Sequence, residues 1–112
     1  MLTYTLIVLA IAAIGGVVLA LKVFAGQLAP WSISIVHALL GATGLVMLIM
    51  LFLEGSGDTR ITAALGLLVI AALGGFYLAS IHVKGSVAPK NVVLIHAGIA
   101  VAGFLTLLSM LF

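Results

Sequence analysis

Two histidines carry whatever chemistry this chain has. His37 lies in "LAPWSISIVHALLGATG" and His96 in "VAPKNVVLIHAGIAVAG". In each stretch the histidine follows an Ala-Pro, is followed directly by Ala, and has a Gly seven residues on. The surroundings are almost wholly apolar. An ionisable side chain in such a setting is costly to keep and is a functional candidate for that reason. A neutral imidazole offers one nitrogen as a hydrogen-bond donor and the other as a lone pair, so its two natural tasks here are bonding between helices and binding a metal. Two imidazoles alone are too few for a closed zinc site, and no Cys, Asp or Glu lies near either in sequence. Two imidazoles on separate helices do suit the two axial positions of a haem iron.

The elements that must hold these residues are legible from composition. Of 112 residues, 66% are hydrophobic and only 5% charged. A water-soluble surface needs far more charge, so the solvent over most of the surface is lipid. The net charge of +2 comes from few residues and forms no basic patch, which argues against nucleic acid as a partner. Cysteine is absent, which excludes disulfides, thiolate metal sites and covalent haem attachment.

Four segments are long and apolar enough to cross a bilayer: about 3–21, 31–53, 61–81 and 91–112. The first has no positive charge before Lys22 and is expected to be a permanent helix, not a cleaved leader. The connections "KVFAGQLAP", "EGSGDTR" and "HVKGSVAPKN" hold the strongly polar clusters. Loops this short predict an up-down-up-down arrangement.

A shift of 59 aligns the two halves without a gap, with 17 of 53 pairs identical. Apolar sequence inflates such a count, so the rarer residues matter more. His37 meets His96, Pro30 meets Pro89, Gly26 meets Gly85, and Gly15 and Gly16 meet Gly74 and Gly75. The expected fold is therefore all-α: an integral-membrane four-helix bundle of two parallel tandem helix-loop-helix repeats. The domain plan is one transmembrane domain over 1–112, with repeats 1–53 and 60–112 and a linker 54–59. Repeats of two spans each enter the membrane in the same sense, which puts loops one and three on one face. Lys22, Lys84 and Lys90 lie on that face and Arg60, Glu54 and Asp58 on the other. The positive-inside rule then places loops one and three in the cytoplasm and both termini outside, as for a bacterial inner-membrane protein.

Small residues surround both histidines. Gly41 and Gly44 lie four and seven residues after His37, and Ala100 and Gly103 stand at the same offsets from His96. They share the histidine's helix face and would leave a groove for a large flat ligand; close helix packing calls for the same residues. Ala12, Gly16 and Ala20, and their counterparts Ala71, Gly75 and Ala79, have the small-xxx-small spacing of helix contacts and are expected to serve packing. Trp31, Tyr4 and Tyr77 are expected in interfacial aromatic belts. Lys22, Lys84 and Lys90 stand where haem carboxylates would emerge, though topology alone also explains them. His82 has Val23 as its counterpart and belongs to no pair. It is expected at the interface, able to bond a haem propionate or carry a proton to a quinone, and not to be an axial ligand.

In general plan the chain resembles the small bis-histidine b-type cytochromes of bacterial membranes, with His37 and His96 matching the idea of axial ligands on two helices. The resemblance implies one haem b between the second and fourth helices and a role in electron transfer with a quinone or partner protein, as a homo-oligomer or a subunit of a larger membrane complex. The cytochrome b561-like proteins usually carry two histidine pairs; this chain has one. It reads as an electron carrier or accessory subunit more than a stand-alone enzyme. Two other readings stay open. One is a chlorophyll-type pigment on the same histidines. The other is a cofactor-free structural or assembly subunit of a respiratory or photosynthetic complex, or a small transporter half, with the imidazoles in hydrogen bonds.

Overall fold

The computed structural model describes residues 1–112 and is all-helical. Helix α1 spans Leu2–Phe24, α2 Trp31–Leu53, α3 Thr59–Val83 and α4 Lys90–Leu108, followed by a short 3₁₀ turn Ser109–Leu111. All four are long and apolar enough to cross a membrane. A 23-residue helix rises about 34 Å at 1.5 Å per residue, enough for a hydrocarbon core of about 30 Å.

The helix ends follow from local chemistry. Pro30 and Pro89 precede α2 and α4 in extended conformation, with φ of −63° and −62°. Proline lacks the N–H that the first helical turn would leave unbonded, and its fixed φ suits chain entry. Helices α1 and α3 stop two residues before Gly26 and Gly85, whose φ values of +73° and +75° need a residue without Cβ. Asp58 caps α3: its carboxylate accepts the Arg60 backbone N–H at 2.9 Å. The Arg60 guanidinium closes on the same carboxylate and donates to the Ser109 carbonyl at 3.1 Å, tying the α3 start to the chain's end. These bonds to Arg60 hold the Asp58 carboxyl below its usual range.

Within each hairpin the helices run antiparallel, since His37 of α2 lies beside Ala12 of α1 while Gly44 lies beside Leu9. The same register holds between α4 and α3, where His96 meets Ala71 and Gly103 meets Leu68. Contacts are most extensive inside the hairpins; α2 against α3 and α1 against α4 join the hairpins into one bundle. Gly44 and Gly103 are buried where added Cβ atoms would come within 2.5 Å of Leu9 and 2.9 Å of Leu68. A larger residue at either place would push the helices apart.

The bundle's ends differ in filling. Leu6, Leu9, Leu48, Leu51, Ile61, Ala64 and Leu107 form one buried apolar cluster near the termini and the α2–α3 connection. Around the two histidines the interior is lined by Ala and Gly. Only 15 of 112 residues are buried, and large side chains such as Leu39, Leu73, Phe76 and Ile95 point outward. Helices apolar all round, with so little interior, are consistent with a lipid surround.

Candidate functional site

His37 and His96 are each half-buried, one in α2 and one in α4. Their ring centroids are 6.3 Å apart and their planes cross at 83°. Each imidazole is held the same way. His37 Nδ1 is 2.7 Å from the carbonyl oxygen of Ala12, and His96 Nδ1 is 2.7 Å from that of Ala71. A carbonyl can only accept, so Nδ1 carries the hydrogen in both rings. In the neutral imidazole Nε2 is then left with a free lone pair. A backbone carbonyl on the far nitrogen is the usual outer support of a metal-binding histidine, fixing both tautomer and ring orientation.

The local sequence explains why those carbonyls are reachable. A helical carbonyl already accepts the N–H four residues on, here that of Gly16 or Gly75. Its second lone pair can take another donor only if nothing covers it. Side chains tilt back toward the N-terminal turn, so the residue four places on would normally shield that oxygen. Gly16 and Gly75 cannot. Added Cβ atoms there would come within 3.0 Å of His37 Cε1 and 3.3 Å of His96 Cε1. Cβ atoms added at Gly15 and Gly74 would lie 3.6 Å from the nearest side-chain atoms of the same two histidines. In lipid, where the hydrophobic effect does not draw helices together, each such bond contributes about 0.6–2 kcal/mol to helix association.

The structure thus gives the small-residue stripes of α1 and α3 a second task beyond packing. Ala12, Gly15 and Gly16, and Ala71, Gly74 and Gly75, form the cradles of the two imidazoles. The signal was present in sequence, because these positions align at the same shift of 59 as the histidines. Conversely, the small residues that follow the histidines on their own helices do not line one groove. Gly44 and Gly103 meet leucines of the neighbouring helix, and nothing lies within 4 Å of a Cβ added at Gly41. Ala100 is half-buried.

A cleft of about 330 Å³ opens between α1 and α2, lined by Ile11, Ile14, Gly15, Ile33, Val36 and His37 among others. It puts the edge of His37 within reach of the lipid side. Lys22 is half-buried, Lys84 and Lys90 are exposed, and none of the three forms an ion pair; the one salt bridge joins Arg60 to Asp58 at 2.9 Å. No group of three or more His, Cys, Asp or Glu residues could hold a metal ion.

His82 stands one residue from the end of α3, with its side chain covered by the bundle. It is 8% exposed, wedged between α3 and α2. Its ring lies flat on Trp31, with centroids 3.8 Å apart and planes within 6°. Nδ1 is 3.2 Å from the Ser34 hydroxyl, while Nε2 is buried with no hydrogen-bond partner. An unsatisfied buried polar atom costs about 1–3 kcal/mol. Trp31 covers this imidazole with one face and remains half-exposed, while Tyr4 and Tyr77 point outward from the bundle.

No family model, curated protein or solved structure matches this chain.

Proposed function

We propose that this chain is a membrane electron-transfer protein or subunit in which His37 of α2 and His96 of α4 would hold one haem b. The observation that carries the reading is the matched pair of freed Nε2 atoms. Both tautomers are set by a carbonyl bond of 2.7 Å, and the rings stand 6.3 Å apart on separate helices. Bound there, haem supplies reversible one-electron chemistry. The chain's own part is to present two neutral nitrogens, orient them through Ala12 and Ala71, and keep water away with apolar helices, all of which set the potential.

The same reading takes the bundle as an up-down arrangement of two tandem helix-loop-helix repeats. In its support, donor and acceptor of the two histidine bonds are each 59 apart (96 − 37 and 71 − 12), the shift that aligns the halves. With Lys22, Lys84 and Lys90 on the side of loops one and three, that face is cytoplasmic and the membrane is a bacterial inner membrane. A haem held by one histidine pair does not by itself bridge the two faces, so the chain works within a homo-oligomer or with other membrane subunits.

A second reading has one observation in its favour. The bonds from His37 and His96 to backbone carbonyls also lock each hairpin, as a cofactor-free structural or assembly subunit would need. The test is the absorption spectrum of detergent-purified protein expressed with ample haem, oxidised and then reduced with dithionite. The haem reading predicts a Soret band that shifts on reduction and a sharp b-type band. A colourless protein that takes up no haem overturns it in favour of the structural reading, and long-wavelength absorption would point to a pigment on the same histidines.

A further inference from the structure

The cleft between α1 and α2 holds about 330 Å³ and opens on the outer surface of the bundle. Ile11, Ile14 and Val36 line it, with His37 at its edge. Along α2 it runs from Ser32 to Leu40, a rise of about 12 Å at 1.5 Å per residue. In a bilayer an apolar slot of this kind fills with hydrocarbon and not with water. Its mouth has a different character. Lys22 follows Gly15 by seven residues and Ile11 by eleven, so it shares their face of α1. The antiparallel register set by His37 against Ala12 puts Ser32 between Gly16 and Lys22 in depth. The slot therefore leads up to a hydroxyl and then to an ammonium, both at the loop-one end.

The charge at that mouth has no counter-ion in the chain. Lys22 is half-buried and forms no ion pair. There are only two acidic side chains, Glu54 and Asp58, and both lie at the α2–α3 connection, the far end of the bundle. An ammonium beside apolar helices favours an anion at its own depth, and in a bilayer that depth is the headgroup layer. The second hairpin differs here. A shift of 59 takes Lys22 to Ile81 and Ser32 to Asn91, so the cationic mouth belongs to the first hairpin alone. An apolar slot that ends at an unpaired cation is complementary to a molecule with a hydrocarbon tail and an anionic head.

We propose that the α1–α2 cleft binds one anionic phospholipid, with an acyl chain along Ile11, Ile14 and Val36 and the phosphate at Lys22 and Ser32. Phosphate oxygens accept from both donors, and the bond from the ammonium is charge-assisted. The acyl chain covers the edge of His37 that the cleft leaves open. The site rests on the four helices lying in a bilayer, as their length and apolarity allow, and not on the haem reading.

The experiment is native mass spectrometry of haem-free protein in detergent, incubated with an equimolar mixture of dioleoylphosphatidylglycerol and dioleoylphosphatidylcholine. The expected result is one phosphatidylglycerol retained per chain, with a preference of about fivefold over phosphatidylcholine, the effect of one lysine beside an anionic headgroup. Lys22→Gln should abolish the preference, while Arg60→Gln, which removes a cation at the other end of the bundle, should leave it intact. Val36→Trp, which fills the slot from α2, should lower retention of both lipids. Ile14→Trp does the same from α1 should that variant not fold; both residues point outward, at 54% and 66% exposure. Equal retention of the two lipids by wild type overturns the proposal. So does a preference that survives Lys22→Gln, or that falls as much in Arg60→Gln, since either would reflect overall charge. Displacement of the lipid by an equal concentration of glycerol 3-phosphate also overturns it, because the slot would then play no part. Failure of haem uptake with phosphatidylglycerol still retained removes the haem reading alone; haem uptake without lipid selectivity removes this site alone.

Discussion

The two hairpins treat their paired histidines alike and their outer seams differently. His37 and His96 share a bond length, an acceptor type and a glycine cradle. The α2–α3 seam carries Trp31, Ser34 and His82, where the α1–α4 seam carries Lys90, Val93 and Val23. What is kept in duplicate suits an object that meets both hairpins equally, as a metal between two imidazoles does.

The comparison can be broken most forcefully at the imidazoles. His37→Ala and His96→Ala are each expected to lower haem affinity by more than 100-fold, and by similar factors, measured by haem titration; a large loss in only one would end the equivalence. Next come Leu48→Ala and Leu107→Ala, which lie 59 apart and are both fully buried. Each should cost about 2–5 kcal/mol of stability in a denaturant titration, with haem spectra unchanged in the folded fraction. The glycine cradles should then separate the halves slightly. A methyl at Gly16 meets His37 at 3.0 Å, whereas one at Gly75 meets His96 at 3.3 Å. Gly16→Ala should therefore weaken haem binding by about 10-fold or more, within the range for lost outer support of a ligand, and Gly75→Ala by less; Gly41→Ala, in open space, should do nothing.

The smallest effect belongs to a residue with no counterpart. Asp58 is partly exposed and its carboxyl is held below the usual range by hydrogen bonds to Arg60. A depressed carboxylate contributes stability that is fully present above its unfolded value and lost as pH falls through the folded one. Melting temperature should drop slightly on acidification below about pH 4, the ordinary carboxylate range. Asp58→Asn should remove that acid-side slope.

Much of the fold was legible in the sequence. The four spans lie where apolar length and the Gly and Pro punctuation put them, with α1 running three residues further, to Phe24, and α4 giving way to a 3₁₀ turn after Leu108. The two histidines stood out because an ionisable group in lipid has few reasons to be there. Their cradles did not, because a small residue every four places serves backbone contact and carbonyl access equally well, and only the facing helix decides between them. Gly44 and Gly103 show the same ambiguity from the other side: read as part of a ligand groove, they receive leucines. The place of His82 near a helix end was legible, but its burial inside the bundle was not. Burial there comes from Trp31, more than 50 residues away in the chain, which no local pattern reports.

The central claim, that Nε2 of both histidines ligates one iron, is tested most directly by haem stoichiometry together with spin state. Electron paramagnetic resonance of the oxidised, haem-loaded protein should give one low-spin haem per chain. Either single variant, His37→Ala or His96→Ala, should leave any residual haem high-spin, with its one remaining axial histidine. Two haems per chain, or a low-spin signal that survives loss of one histidine, would contradict shared ligation and with it the two-fold account of the bundle.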